Sequence, residues 1–320
     1  MLSVHRRTAI ALLAAGAIAL SLGAVGQETV IGGMVFQQDQ FFRGIQLGFE
    51  ASAAEGNVTL IQGNSENKLE KEAELVDTFI ARGSKAIVLA PLNADASVPA
   101  LQRAADAGVT VVLYGTPLNA DFPVAYVGTS QYDLGKGTGQ SAVPFLKDTF
   151  TGPVNVGLVG FLSQNKQMTD DRTNGFLDAV KAGGVELNIV SRQEAWLAEQ
   201  AVSVVTDMLT ANPEIQVIYA ANEGGTVGAV QAVRAAGLQG KVFVFGIDAS
   251  EQLGNFLLDD DNVLIATTAQ QPFDMGKTAM DVARKAVAGE AFDKTYDVPG
   301  LALSRADRAA VEAYVATVKQ

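Results

Sequence analysis

The sequence predicts an α/β protein of parallel sheets divided between two lobes, and three observations carry that expectation. Short β-rich runs alternate with amphipathic stretches almost to the C-terminus. The β-rich runs are continuous in Val, Ile, Leu and Ala rather than alternating in and out, as strands covered on both faces require. The rhythm then breaks at "DFPVAYVGTSQYD", a short apolar piece among loop residues that begins at Asp121. One sheet of nine strands could hold the same elements. Two smaller sheets fit the break better, with a first passage between lobes near Thr129.

In order, the strand candidates are 30–36, 58–62, 86–90, 109–114, 154–161, 186–191, 215–220, 242–247 and 263–268. Helices lie between them. "NKLEKEAELVDTFIARG" carries Leu69, Ala73, Val76 and Ile80 at helical spacing and stops at Gly83. "DRTNGFLDAVKAGG" places Phe176, Leu177 and Val180 on one face and ends in two glycines. Strand–helix–strand repetition implies right-handed crossovers.

The first 26 residues read as an export signal. His5, Arg6 and Arg7 give a basic start, "AIALLAAGAIALSLGA" is the apolar stretch, and Ala24 and Gly26 are small residues at the cleavage positions. Cleavage would leave Gln27 first. The alternative is a membrane anchor, since a run of roughly 17 apolar residues can span a bilayer. His5 is the only His and there is no Cys, so the exported portion would have neither. That excludes Ser-His-Asp and Cys-His catalysis as usually built, and thiolate or imidazole metal sites. No Asp-rich loop of EF-hand spacing is present, and no cofactor is implied.

The remaining 294 residues suit two domains. With Arg6 and Arg7 removed, 21 basic residues face 35 acidic ones, a charge of −14. Such a balance argues against nucleic acid or anionic lipid as a partner.

In open parallel sheets, ligands bind outside the carboxyl ends of the strands. At those ends stand Gln37, Asp39, Phe41 and Phe42, then Ala90 to Asn93, then Gly115 and Thr116. The second half offers Gln164 to Asp171, Glu194 to Trp196, Asn222 and Glu223, Asp248 and Gln270; the only basic residues among these ends are Lys166 and Arg172. Carboxylates and amides can take the rim of a hydroxyl-rich ring, and an aromatic face can cover its C–H side. Phe41 and Phe42 therefore read as a platform in a polar turn, the alternative being packing between strand and helix. Trp196, the sole Trp, reads as a second ring or as the cap of a helix. "GKGTG" and "GGTVGA" lack the closing residues of a phosphate loop or dinucleotide fingerprint. The run Asp259-Asp260-Asp261 reads as a solvated loop.

Taken together, "FFRGIQLGFEASA", "LVDTFIARGSKAIVLAP", "RTNGFLDAV", "LTANPEIQVIYAANE", "VFGIDAS" and "IATTAQQPFDMG" resemble the periplasmic sugar-binding proteins of the ribose-binding type. The resemblance covers nearly all of the chain beyond the leader. It implies two Rossmann-like lobes of the type I periplasmic binding fold, joined by three crossings and closing by hinge bending. Residues 27–130 and 271–297 would form one lobe, 131–270 and 298–320 the other. The resemblance puts the family's stacking Phe on Phe41, its second aromatic on Trp196, and its polar ligands on Asn222, Asp248 and Gln270, with Asp39 where Asn is frequent. Gly115-Thr116 stands where a ribose binder has Asp-Arg, Ala90 where it has Asn, and Asp170 where it has Arg. Those departures imply an acidic cleft and a neutral polyol or aminated sugar, such as glucosamine or galactosamine, whose ammonium meets Asp170 or Asp39.

The function implied is that of a monomeric, periplasmic solute-binding protein that delivers a small carbohydrate to an ABC permease. The alternative is an ectodomain presenting its sugar to a chemoreceptor or kinase. Asp170 and Asp171 could in principle form a glycosidase pair, but a cleft closing around one sugar admits no polymer, so no enzyme is expected. No helix-turn-helix precedes the first strand, unlike the sugar-responsive repressors of this fold.

Overall fold

The computed structural model describes residues 29–318, so the expected export signal lies outside the described residues. Among those described, no helix is long and apolar enough to cross a membrane.

Two six-stranded sheets organise the chain. The first contains β1 (Val30–Val35), β2 (Thr59–Asn64), β3 (Ala86–Leu89), β4 (Thr110–Tyr114), β5 (Ala125–Gly128) and β11 (Thr295–Asp297), in the order β11-β5-β4-β3-β1-β2. All of its pairings are parallel. The second contains β6 (Val154–Gly160), β7 (Leu187–Glu194), β8 (Val217–Ala220), β9 (Phe243–Ile247), β10 (Leu264–Ala269) and β12 (Leu301–Ser304), in the order β12-β10-β9-β8-β6-β7. Its edge strand β12 runs antiparallel to β10.

Helices cover both faces of each sheet, which is why the inner strands are apolar throughout. In the first lobe α1 (Gln40–Glu55) and α9 (Pro272–Ala288) bury Ile45, Phe49, Met275 and Met280 against one face. Across the sheet, α2 (Leu69–Ala81) and α3 (Val98–Asp106) contribute Val76, Phe79 and Leu101 to the other. In the second lobe α4 (Gln131–Thr149) and α5 (Lys166–Ala182) cover one face with Leu146, Phe176 and Val180. The opposite face receives α6 (Ala198–Ala211), α7 (Glu223–Ala235), α8 (Glu251–Leu258) and α10 (Arg308–Val318).

The chain passes between sheets three times: from β5 into α4, from β10 into α9, and from β11 into β12. The three passages are tied to one another. Ser130 donates its N–H to Asp297 Oδ1 at 2.9 Å, and Gln271 donates its side-chain amide to the Pro299 carbonyl at 2.9 Å.

All nine expected strands form, and three more join them. β5 is the apolar piece that interrupted the rhythm, while β11 and β12 are three and four residues long. Strands that short carry little periodicity; pairing with a neighbour's backbone holds them. In α2 the buried face is Glu72, Val76 and Phe79, with Leu69 40% exposed, so the helix is rotated from the stripe expected. The two glycine runs lie inside α4 and α7. There they serve close packing: a Cβ on Gly135 would stand 1.8 Å from the Arg172 carbonyl oxygen, and one on Gly228 2.5 Å from the Ala198 carbonyl oxygen. The aspartate run is more than a solvated loop, because Asp259 and Asp261 both bind the Arg234 guanidinium, at 2.6 and 2.5 Å.

Candidate functional site

The carboxyl ends of the two sheets supply the candidate site, a cleft between lobes. At the end of β1 the backbone turns and α1 begins one residue after Asp39. Asp39 caps that helix: Oδ1 accepts the Phe42 N–H at 2.9 Å, and Oδ2 accepts the Gln37 side-chain amide. The Asn67 amide donates to Gln37 Oε1 in turn, at 3.4 Å, so the loop after β2 braces the loop after β1.

The two phenylalanines lie in the first turn of α1 rather than in a polar turn. Phe42 needs correction as a platform residue. It is 6% exposed and belongs to the lobe's core, tilted against Phe36 at 4.4 Å, because it sits on the sheet-facing side with Ile45 and Phe49. Phe41 is half-buried and meets Phe42 edge-on at 5.2 Å.

Beyond β3, Ala90 is buried, and the N–H of Leu92 donates to Glu72 Oε2 at 2.8 Å. Glu72 is itself only 1% exposed and anchors the third loop from the first turn of α2, where the helix dipole favours an acid. Gly115 ends β4 with φ of +65°, and a Cβ there would meet open space. Its carbonyl accepts from the Tyr126 hydroxyl at 3.0 Å.

In the second lobe Trp196 follows β7 and remains 44% exposed, with Phe161 edge-on beneath it at 5.0 Å. Asn222 is 4% exposed and structurally committed: its oxygen caps α7 at the Gly225 N–H and its amide donates to the Trp196 carbonyl at 2.8 Å. It thus holds the Trp196 loop in place. Asp248 adopts φ of +69°, a left-handed conformation uncommon outside glycine. Its N–H donates to the Thr268 carbonyl, and its carbonyl accepts from Thr267 Oγ1 at 2.5 Å. Its carboxylate receives the Gln270 amide at 3.1 Å, the Glu223 N–H at 3.2 Å and the Arg172 guanidinium at 3.3 Å.

Two residues absent from the candidate set stand at the centre of this wall. Arg172 is 3% exposed, with Nε donating to Gln131 Oε1 and Nη1 to the Ala221 carbonyl, each at 2.8 Å. Its signal was present in the sequence, since few basic residues occur at strand ends. The cleft therefore retains a guanidinium, and its chemistry is mixed. Glu223 opens α7, and its carboxyl is held above the ordinary glutamate value. Poor solvation is the main cause; Asp248 and, from the opposite lobe, Asp39 add to it, against a Ser250 hydrogen bond. Although Glu223 has open surface, the protein crowds its carboxyl enough to weaken hydration. The Tyr314 hydroxyl, bonded to the Ala249 carbonyl, is pushed up to about 12 by burial and by Glu223 and Asp248. Asp170 differs from both acids: it is bonded to Lys166 one turn away on α5.

The lobes touch beside Asp39, where the side-chain amide of the next residue, Gln40, donates to the Val318 carbonyl at the end of α10. Among the described residues no group of three or more metal-ligating side chains converges.

The chain matches the periplasmic binding protein domain family over residues 33–291. It is 26% identical over 286 residues to the ABC transporter periplasmic-binding protein YphF of Escherichia coli, covering 88% of this chain and 83% of that one. It is 30% identical over 232 residues to the D-ribose/D-allose-binding protein of Pseudomonas aeruginosa, covering 70% of each. A solved periplasmic solute-binding protein from Actinobacillus succinogenes with bound D-allose superposes with a TM-score of 0.74 at 26% identity, covering 89% of this chain and all of the other. With its two parallel α/β lobes and these relatives, the chain belongs to the periplasmic binding protein domain family, among the type I sugar-binding proteins of the ribose-binding type.

Proposed function

We propose that this protein captures a monosaccharide-sized ligand, whether a sugar, an amino sugar or a polyol, between its lobes and delivers it to an ABC permease from the periplasm. The observation that carries the reading is the pairing of one accessible ring per lobe, Phe41 and Trp196, with the polar groups of Asp39, Glu223, Asp248 and Gln270 at the strand ends. Flat apolar faces beside oriented acceptors suit a molecule with C–H faces and a hydroxyl rim. The relatives' ribose and allose support the same ligand class.

Asp39 and Glu223 sharpen the preference for an amine. They approach from opposite lobes, and no ion pair of the described residues uses either. Asp170 is already matched by Lys166, so the ammonium site passes to the interlobe pair. A charge-assisted hydrogen bond outweighs a neutral one.

Calorimetric titration with D-ribose, D-allose, glucose, glucosamine, galactose and galactosamine, each checked by Trp196 fluorescence, tests both statements. Binding of one or more with a changed emission is expected, the amine tighter than its parent sugar. Equal affinities within each sugar pair would remove the ammonium preference. A crystallographic complex with the solute outside the cleft would remove the whole reading.

A further inference from the structure

The ends of β3 and β4 lie in the middle of the first sheet, between β1, whose loop leads to Phe41, and β5, which leads into the first passage. Their sequences are alike: Ala90-Pro91-Leu92 follows β3, and Gly115-Thr116-Pro117-Leu118 follows β4. Neither stretch carries a charge, and their main-chain donors are committed to the protein. The Ala90 N–H goes to the Tyr114 hydroxyl, which itself donates to the Met34 carbonyl at 3.0 Å. The Leu92 N–H goes to Glu72 at 2.8 Å and the Asn93 N–H to Ser97 Oγ at 3.3 Å. The Gly115 N–H goes to the Val127 carbonyl at 2.9 Å, and that of Thr116 to the Tyr114 carbonyl at 2.6 Å. Pro91 and Pro117 have no N–H to offer. Ala90 contributes a methyl group that is 5% exposed. Gly115 contributes no side chain, and open space stands where its Cβ would be. The strand ends thus leave a gap the size of a small side chain, followed by the half-buried Thr116.

We propose that the ends of β3 and β4 form an apolar subsite that takes a methyl group of the ligand, so that the captured molecule is a deoxy or O-methylated sugar or polyol. A hydroxyl turned to this wall could give its proton to a carbonyl. It would meet no main-chain N–H for its own lone pairs, and the water it left behind would go unreplaced. A methyl group needs no such partner and gains by leaving water. The backbone at Gly115 keeps the gap open, since its φ of +65° disfavours a side chain there. The polar rim of the same ligand then faces Asp39, Glu223, Asp248 and Gln270. This rests on the interlobe cleft as the binding site and narrows the class of solute proposed for it.

Calorimetry on matched compounds reads the subsite: D-fucose against D-galactose, L-rhamnose against L-mannose, and the mono-O-methyl ethers of D-glucose and myo-inositol against their parents. At least one modified compound is expected to bind about tenfold or more tightly than its parent. Gly115→Asn places an amide in the gap, in a residue that tolerates positive φ, and should abolish that preference while the protein still melts within about 3 °C of the unsubstituted chain. Thr116→Val removes the hydroxyl beside the gap and should hold or raise the preference. Should Gly115→Asn fail to fold, Thr116→Val decides, since a fall would assign the wall to a hydroxyl. Parents that bind as tightly as their modified partners in every case overturn the subsite and leave the cleft reading standing. A preference that survives Gly115→Asn also overturns it. If no compound binds, the cleft reading loses these ligands, and tert-butanol tests the wall of the empty protein. Nuclear Overhauser contacts from its methyl protons to Ala90 and Gly115 are then expected, and contacts confined to other residues, or none, overturn the subsite.

Discussion

Phe41 and Phe42 are adjacent in sequence and part company in space, which separates two kinds of loss. Phe42 packs in the core at 6% exposure, so Phe42→Ala should cost about 3–5 kcal/mol of stability by denaturant titration. Phe41→Ala should melt close to the parent and lose affinity instead. Trp196→Ala should weaken binding about thirtyfold, near 2 kcal/mol, if the exposed ring anchors the ligand as aromatic hot spots do; calorimetry reads it directly. Glu223 gives a pH-dependent case. Its folded carboxyl is held above the ordinary value, so the protonated form is favoured in the folded state. The associated stability is complete below the unfolded glutamate value and is lost as pH rises through the raised one. Glu223→Gln should therefore raise the melting temperature of the empty protein at pH 7 and leave it little changed below pH 4. Thermal melts at the two pH values check this, and a gain that is larger in acid would contradict the assignment.

At the scale of elements, glycines decide how closely helices meet. The α4–α5 contact depends on Gly135 and Gly175, where an added Cβ would lie 1.8 Å from the Arg172 carbonyl oxygen and 2.0 Å from that of Tyr132. Because the obstacle is backbone, the helices themselves must move apart. Gly175→Ala should cost about 1–3 kcal/mol or more by denaturant titration. Gly135 opened a run that lacked the closing residues of a phosphate loop and Gly175 lay within an expected helix, and only the packing partner reveals their purpose. Inner strands were legible for the opposite reason, since burial on both faces writes itself into composition. β11, "TYD", has no such burial and exists because Tyr296 and its neighbours pair with β5. The site divides likewise. Asp248, Gln270 and Trp196 stand out because strand ends are predictable, whereas Asn222 proved a bracket and Arg172 a hub through partners far away in sequence. Asp39 does double duty, so Asp39→Ala should cost about 1 kcal/mol as a lost cap as well as its field at the cleft.

For the whole molecule, three mutually bonded passages restrain how the lobes move. Hinge motion concentrates in a few residues that absorb backbone rotation. Hydrogen exchange should therefore change on ligand addition around 129–131, 270–271 and 298–300, with the central strands unaffected. Uniform change through both sheets would point instead to global tightening. Asp39 reaches across from the opposite lobe as the smallest of the influences that hold the Glu223 carboxyl above its ordinary value, and under the proposed reading a cationic substituent between them would be expected to offset it.

The place of α9 in the chain sets the order of assembly. This helix completes the first lobe against α1, where Gly48 and Gly276 let the two backbones come close, yet it follows the entire sheet of the second lobe in sequence, apart from the edge strand β12. Phe49 and Tyr114 share one core cluster with Met275 and Met280 of α9, so the apolar face of the first lobe is covered only when a helix about 160 or more residues further along docks on it. Contacts so distant along the chain form slowly, so completion of the first lobe is expected to lag behind that of the second.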